Sequence, residues 1–296
     1  MSDQVDELVA WTLRMSRAER EAEPIHVTRT SVWFAAIGFL ALAVGQSLIC
    51  WAPPDGRFEF ILLVLGTLSL AVAILYHLDH HRLRFGLPAL ICFNLAIVAA
   101  SAVWVPYVIN PEVRGTPGGL LYSYIAWGVA WTLGAIGTFL VLLRKERRLE
   151  RGGRKAATEI HASFFQLLIL GVGMLIYGIS FIEQSSSPNN QVDGVLGVVG
   201  PVLIAISVIN HVEHLILRIG RPAVIITIIG ISIWSVKNLS RAVTDWMSDP
   251  ALARFFVYGV QGIVFALGAI ACILVLSHKK AWHAARPESD STPSKL

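Results

Sequence analysis

Charged side chains are scarce in this sequence. Asp, Glu, Lys and Arg make up 15% of its 296 residues, against about a quarter in average globular chains. Cysteine is scarcer still: Cys50, Cys92 and Cys272 stand far apart. That spacing excludes a disulfide framework and the paired pattern of a zinc knuckle. No phosphate-cradling glycine loop precedes a helix, and the chain has no nucleophile elbow or lipid-attachment motif. The polar segments are too short to fold as a catalytic domain of their own, so any catalysis has to occur at a membrane face. The first long apolar run starts after residue 31 and follows many charges, unlike a secretory signal peptide.

What the chain has is apolar length. Its mean hydropathy is +0.63, and 55% of its residues are hydrophobic. Eight runs, about 32–51, 59–80, 87–107, 119–143, 162–183, 194–215, 222–240 and 254–277, are long enough to cross roughly 30 Å of hydrocarbon as helices. Lys237 weakens the seventh. The expected fold class is an all-α integral membrane protein with eight transmembrane helices.

Lys and Arg set the expected orientation. With eight alternating spans and a cytoplasmic N-terminus, nineteen of the 24 basic residues fall inside. Outside fall Arg57, Arg114, Lys237, Arg241 and Arg254. This bias places both termini in the cytoplasm and the protein in the cell (inner) membrane. It also accounts for the pI of about 9.1 without a nucleic-acid partner. The expected partners are the bilayer, anionic lipid at the cytoplasmic face, and a protein partner or a second copy of the chain.

The chain also repeats itself. His77-Leu-Asp-His-His-Arg-Leu-Arg-Phe-Gly-Leu-Pro-Ala89 and His211-Val-Glu-His-Leu-Ile-Leu-Arg-Ile-Gly-Arg-Pro-Ala223 lie 134 residues apart and share seven of thirteen positions. Gly38, Leu42, Gly45 and Ser47 match Gly171, Leu175, Gly178 and Ser180 at an offset of 133. Tyr124, Gly128 and Leu133–Ile136 match Tyr258, Gly262 and Leu267–Ile270. Four spans per repeat is an even number, so the expected plan is two parallel four-helix repeats about a pseudo-twofold axis along the membrane normal. Gly86 and Gly220 suit a left-handed helix end, and Pro88 and Pro222 suit the first turn of the next helix. Pro201 is expected to kink the sixth span. The expected organisation is a cytoplasmic tail over 1–31, a first repeat over 32–143, a basic linker over 144–161, a second repeat over 162–277 and a tail over 278–296. Within the first tail, Val5, Leu8, Val9, Leu13 and Met15 share one helical side opposite Arg14 and Arg17. That pattern predicts an amphipathic helix on the inner membrane surface.

On this topology all nine histidines face the cytoplasm. Residues three apart share a helix face, so His77 can converge with His80, and His211 with His214. With His26 and His161 these form a candidate metal set. Imidazole suits zinc and iron and haem, with Asp79 and Glu213 as pairing or orienting partners. The competing reading is interfacial: the rings sit at helix ends and headgroup depth, and Arg84 and Arg218 meet anionic lipid. Proton sensing by these imidazoles is a third. Lys237 and Glu183, near the outer helix ends, are a candidate ion pair.

The string His77-x-x-His80-His81 resembles one histidine box of the membrane fatty-acid desaturases and hydroxylases, which hold two irons at the cytoplasmic face. The chain departs from that family's further boxes. Its second half offers only His211-x-x-His214 followed by Leu215, and a four-plus-four duplication is not that family's plan. Three function classes stay open. One is a non-enzymatic module that binds a partner or lipid, or senses conditions, at its basic His-rich face. The second is a small-solute transporter or channel with its path at the repeat interface. The third is a metal- or haem-dependent membrane enzyme.

Overall fold

The computed structural model describes residues 28–51, 56–76, 85–157, 162–186, 191–237 and 250–284. The amphipathic segment expected near the N-terminus lies outside them. Among the described residues every regular element is helical: α1 Arg29–Trp51, α2 Phe58–Leu75, α3 Leu87–Ala102, α4 Val105–Ile109, a 3-10 turn Pro111–Val113, α5 Pro117–Ala157, α6 Phe164–Ser186, α7 Gln191–Ile209, α8 Val212–Ile219, α9 Arg221–Lys237, α10 Pro250–Arg254, a π-helical turn Phe255–Gly259, and α11 Val260–Ala284.

Seven of these stretches are long and apolar enough to cross a membrane: α1, α2, α3 with α4, α5, α6, α7, and the π turn with α11. The eighth expected span, α9, has 17 residues. Only 28–44% of each of the seven spans is buried within the protein. Side chains such as Ile37, Leu65, Leu95 and Ile273 face outward. The protein is a membrane protein by this measure, and that outer apolar surface is what lipid contacts.

The long helices pack in chain order, α1 on α2, α2 on α3, α3 on α5, α5 on α6, α6 on α7, α7 on α9 and α9 on α11, and α11 packs back on α1. The result is a closed ring. Lipid supplies no hydrophobic force between helices, so close backbone approach and returned hydrogen bonds hold such a bundle. Both are present. A Cβ on Gly66 would stand 2.9 Å from the Gly38 carbonyl oxygen, and one on Gly200 would stand 2.9 Å from that of Gly173. Buried hydroxyls donate to neighbouring helices: Ser31 Oγ to the Ala73 carbonyl at 2.6 Å, Ser207 Oγ to that of Gln166 at 2.9 Å, and Ser101 Oγ to Thr67 Oγ1 at 2.6 Å. Aromatic rings from several helices meet across the ring. Trp131 of α5 stacks on Trp234 of α9 at 5.6 Å, and Tyr177 of α6 lies edge-on to both. The contacts continue through Phe181, Trp127 and Trp104 to Phe60.

Several boundaries differ from the apolar runs, for local reasons. The third run breaks between Ala102 and Val105, and Pro106 at the start of α4 has no N–H to continue the ladder. The sixth run stops at Ile209. There the Asn210 carbonyl accepts from Gln166 Nε2 at 2.6 Å, and His211 leaves helical geometry at φ −103°, ψ 4°. α7 itself runs through Pro201, whose carbonyl accepts from Ser235 Oγ at 3.2 Å. The helix of the fourth run does not stop where the apolar run does: α5 spans 41 residues in all, from Pro117 to Ala157.

Candidate functional site at the basic end

Gly86 and Gly220 lie at the same end of the ring. Ser31, at the start of α1, is bonded to Ala73 near the end of α2. Val32 packs with Ala223 and Val275 in one buried cluster, and Ala89, Val141 and Leu167 form another at the starts of α3 and α6 and towards the end of α5. The two glycines share φ 87°, with ψ 152° at Gly86 and 146° at Gly220. This is not the left-handed helical cap expected from sequence. It is the region with positive φ and extended ψ that only glycine occupies without strain, and it turns the chain directly into a helix carrying proline in its first turn. Each glycine lies under one side chain. The position of an added Cβ is 3.1 Å from Arg144 Cδ at Gly86, and 2.9 Å from His278 Cγ at Gly220.

α6 begins here with a reciprocal cap. The Ser163 hydroxyl accepts from the Gln166 N–H at 3.1 Å, and Gln166 Oε1 accepts from the Ser163 N–H at 2.7 Å. This capping box satisfies two of the free donors of a helix start. Thr28 caps α1 in the simpler way, its hydroxyl accepting from the Ser31 N–H at 3.2 Å. Buried Lys145 donates its ammonium to the Ala162 carbonyl and lies 5.6 Å from the centre of the Phe164 ring. It thereby ties α5 to the approach of α6.

Beyond Lys145 the helix continues as a basic rod. Positions Arg144, Arg147, Arg148, Arg151, Arg154 and Lys155 all belong to α5. At about 100° per residue they fall within an arc of about 120°. Glu146 and Glu150 fall on the other side. Sequence reading registered the charge of this segment but treated it as a linker. The 3–4 spacing of the cations was the signal that could have revealed a helical face.

Of the candidate metal ligands, His26, His77, His80 and His161 lie outside the described residues, as do Asp79 and Arg84. Glu213, His214 and Arg218 are placed on α8, and His211 is the N-cap of that helix. Among the described residues no group of three or more His, Cys, Asp or Glu side chains could hold a metal ion. At the other end, Lys237 donates to Gln261 Oε1 at 2.5 Å, a partner on α11 that sequence did not anticipate beside Glu183. Sequence also passed over Gln46, which is buried in α1 with its Oε1 unpartnered among the described residues. Comparison with protein-family models, curated proteins and solved structures finds no match to this chain.

Proposed function

We propose that the chain is a non-enzymatic membrane module, built from a duplicated four-helix unit, that holds anionic lipid headgroups against a basic helical face on the cytoplasmic side of the inner membrane. The observation that carries this reading is the helical continuation of α5 past the apolar span, which puts six basic positions on one side of the helix. Clusters of four to eight basic residues immediately next to a transmembrane helix attract anionic lipid, at about 1 kcal/mol per charge near the surface. The basic bias of this end supports a cytoplasmic placement.

Three correspondences support the duplication. In the buried clusters, Val32, Ala223 and Val275 pair with Leu167, Ala89 and Val141 at offsets of 135, 134 and 134. Arg144 and His278, also 134 apart, cover the two equivalent glycines. Helix neighbours recur after four steps around the ring. On this plan a transport path would run between the halves, and that is where Trp131, Trp234 and Tyr177 pack on one another. The arrangement favours a lipid-engaging module over a carrier.

The test uses the full chain in bilayers that mix phosphatidylcholine with phosphatidylglycerol. Native mass spectrometry should find phosphatidylglycerol enriched among retained lipids. Replacing Arg147, Arg148, Arg151 and Arg154 with Gln should reduce that enrichment more than about tenfold, by loss of a term that is roughly additive in charge. Enrichment in the unaltered protein should also weaken as salt shortens the screening length. Equal enrichment in both proteins would sink the reading.

A further inference from the structure

The end of the ring opposite the glycine corners holds a cavity of about 680 Å³, within the size range of small-ligand sites. Its lining brings together three arginines from segments far apart in sequence: Arg57 just before α2, Arg114 just before α5 and Arg254 at the end of α10. One acid, Glu112, is among them, and Ile49 and Asn110 also line the wall. On the charge-derived topology only five basic residues lie at this end, and three of the five converge on one cavity.

Arg114 forms the inner part of the site. Its guanidinium carbon lies 5.6 Å from the centre of the Phe60 ring and 5.5 Å from that of Tyr258. Two aromatic faces therefore hold the cation in place. Its Nη1 is buried and has no hydrogen-bond partner among the described residues. A buried guanidinium donor with no acceptor is costly, and an anion that reaches it removes the cost. Arg57 and Arg254 are exposed and supply charge at the mouth. Asn110 accepts the Glu112 N–H on its Oδ1 at 3.1 Å, which orients the amide and leaves its Nδ2 as a further donor.

These groups come once, whereas the packing features come in pairs. On the duplicated plan the positions 134 away from Arg57, Arg114 and Arg254 are Gln191, Ser248 and Leu120. A charge needed only for folding would recur in both halves.

We propose that this cavity binds a phosphate monoester. Among the described lining residues, three guanidinium groups less one carboxylate leave two positive charges, which match the roughly −1.5 to −2 charge and three acceptor oxygens of such a group. Guanidinium forks suit those oxygens geometrically. A lone carboxylate offers one charge and two oxygens, so it engages fewer of the donors. The phosphate arrives either on a soluble molecule or on the headgroup of a phosphatidic acid.

The experiment uses the full chain in neutral phosphatidylcholine nanodiscs and calorimetric titration. Inorganic phosphate and glycerol 3-phosphate test the soluble source, and short-chain phosphatidic acid tests the lipid source. Saturable binding of any of these is expected, with Arg114→Gln abolishing it and Arg57→Gln or Arg254→Gln each weakening it about tenfold, as for loss of one charge-assisted contact. Arg29→Gln, an exposed position at the start of α1 and so at the other end of the ring, should leave binding of the two soluble phosphates unchanged. The two mouth variants alter exposed side chains, so they keep the test valid if Arg114→Gln does not fold. Binding of the lipid alone assigns the headgroup; binding of the soluble phosphates assigns a soluble ligand. No saturable binding by any of the three, or full affinity in both mouth variants, overturns the proposal.

Discussion

Gly200→Ala should lower the stability of the bundle by about 3 kcal/mol, the upper part of the range for overpacking a tight contact. The added methyl would stand 2.6 Å from Tyr177 Cβ, 2.8 Å from the Tyr177 backbone nitrogen and 2.9 Å from the Gly173 carbonyl oxygen. Two of these are backbone atoms of α6, so no rotamer change can clear them and α6 and α7 have to separate. The separation also disturbs Tyr177, whose ring packs against Trp131, Phe181 and Trp234. Gly66→Ala should cost less. Its nearest obstacle, Leu42 Cγ at 2.8 Å, is a side-chain atom, although the Gly38 carbonyl oxygen at 2.9 Å still limits relief. Gly118, with no atom within 4 Å of an added Cβ, provides the control, and Gly118→Ala should be close to neutral. Unfolding in mixed detergent, followed by tryptophan emission, measures all three. Equal midpoints for Gly200→Ala and Gly118→Ala would refute the close-packing argument.

The second large effect is expected at the turns. Gly220→Ala puts a side chain at φ 87°, ψ 146°, which costs about 1–3 kcal/mol in backbone strain alone. It also drives a methyl to 2.9 Å from His278 Cγ, a ring atom close to its own backbone. Gly86→Ala meets the same strain but faces Arg144 Cδ at 3.1 Å, part of a long side chain that can swing away. Gly220→Ala should therefore be the more destabilising of the two. Adding His278→Ala to Gly220→Ala should recover the steric part and leave the backbone part. Were the double variant no more stable than Gly220→Ala, the His278 contact would carry no weight.

Sequence reading reached the helices because apolar runs of this length have few alternatives. It reached the glycine-proline turns because those residue types restrict the backbone so strongly. It expected the left-handed helix end at Gly86, where the chain takes the other positive-φ conformation, because glycine serves both. It paired Gly38 with Gly171, whereas the glycine that meets α7 as Gly38 meets α2 is Gly173. Small residues recur along both helices, so identity can slide by two positions; only the facing helix fixes which glycine is buried against it. The helical continuation of α5 was obscured by Gly152 and Gly153, which argue locally for a break. The arginine cavity left no linear trace, because Arg57, Arg114 and Arg254 become neighbours only when the ring closes. The histidine sets stay as sequence left them, since most of their members lie outside the described residues.

Ring closure has a topological consequence. Val32 near the start of α1 and Val275 towards the end of α11 share a cluster, so the last long helix hands over to the first as α5 hands over to α6. Chain order around such a circle is then a matter of where the polypeptide happens to be cut. A permuted chain that begins at Ser163 and rejoins the old ends through a flexible tether keeps every helix beside its present neighbours, and its melting profile would match that of the parent.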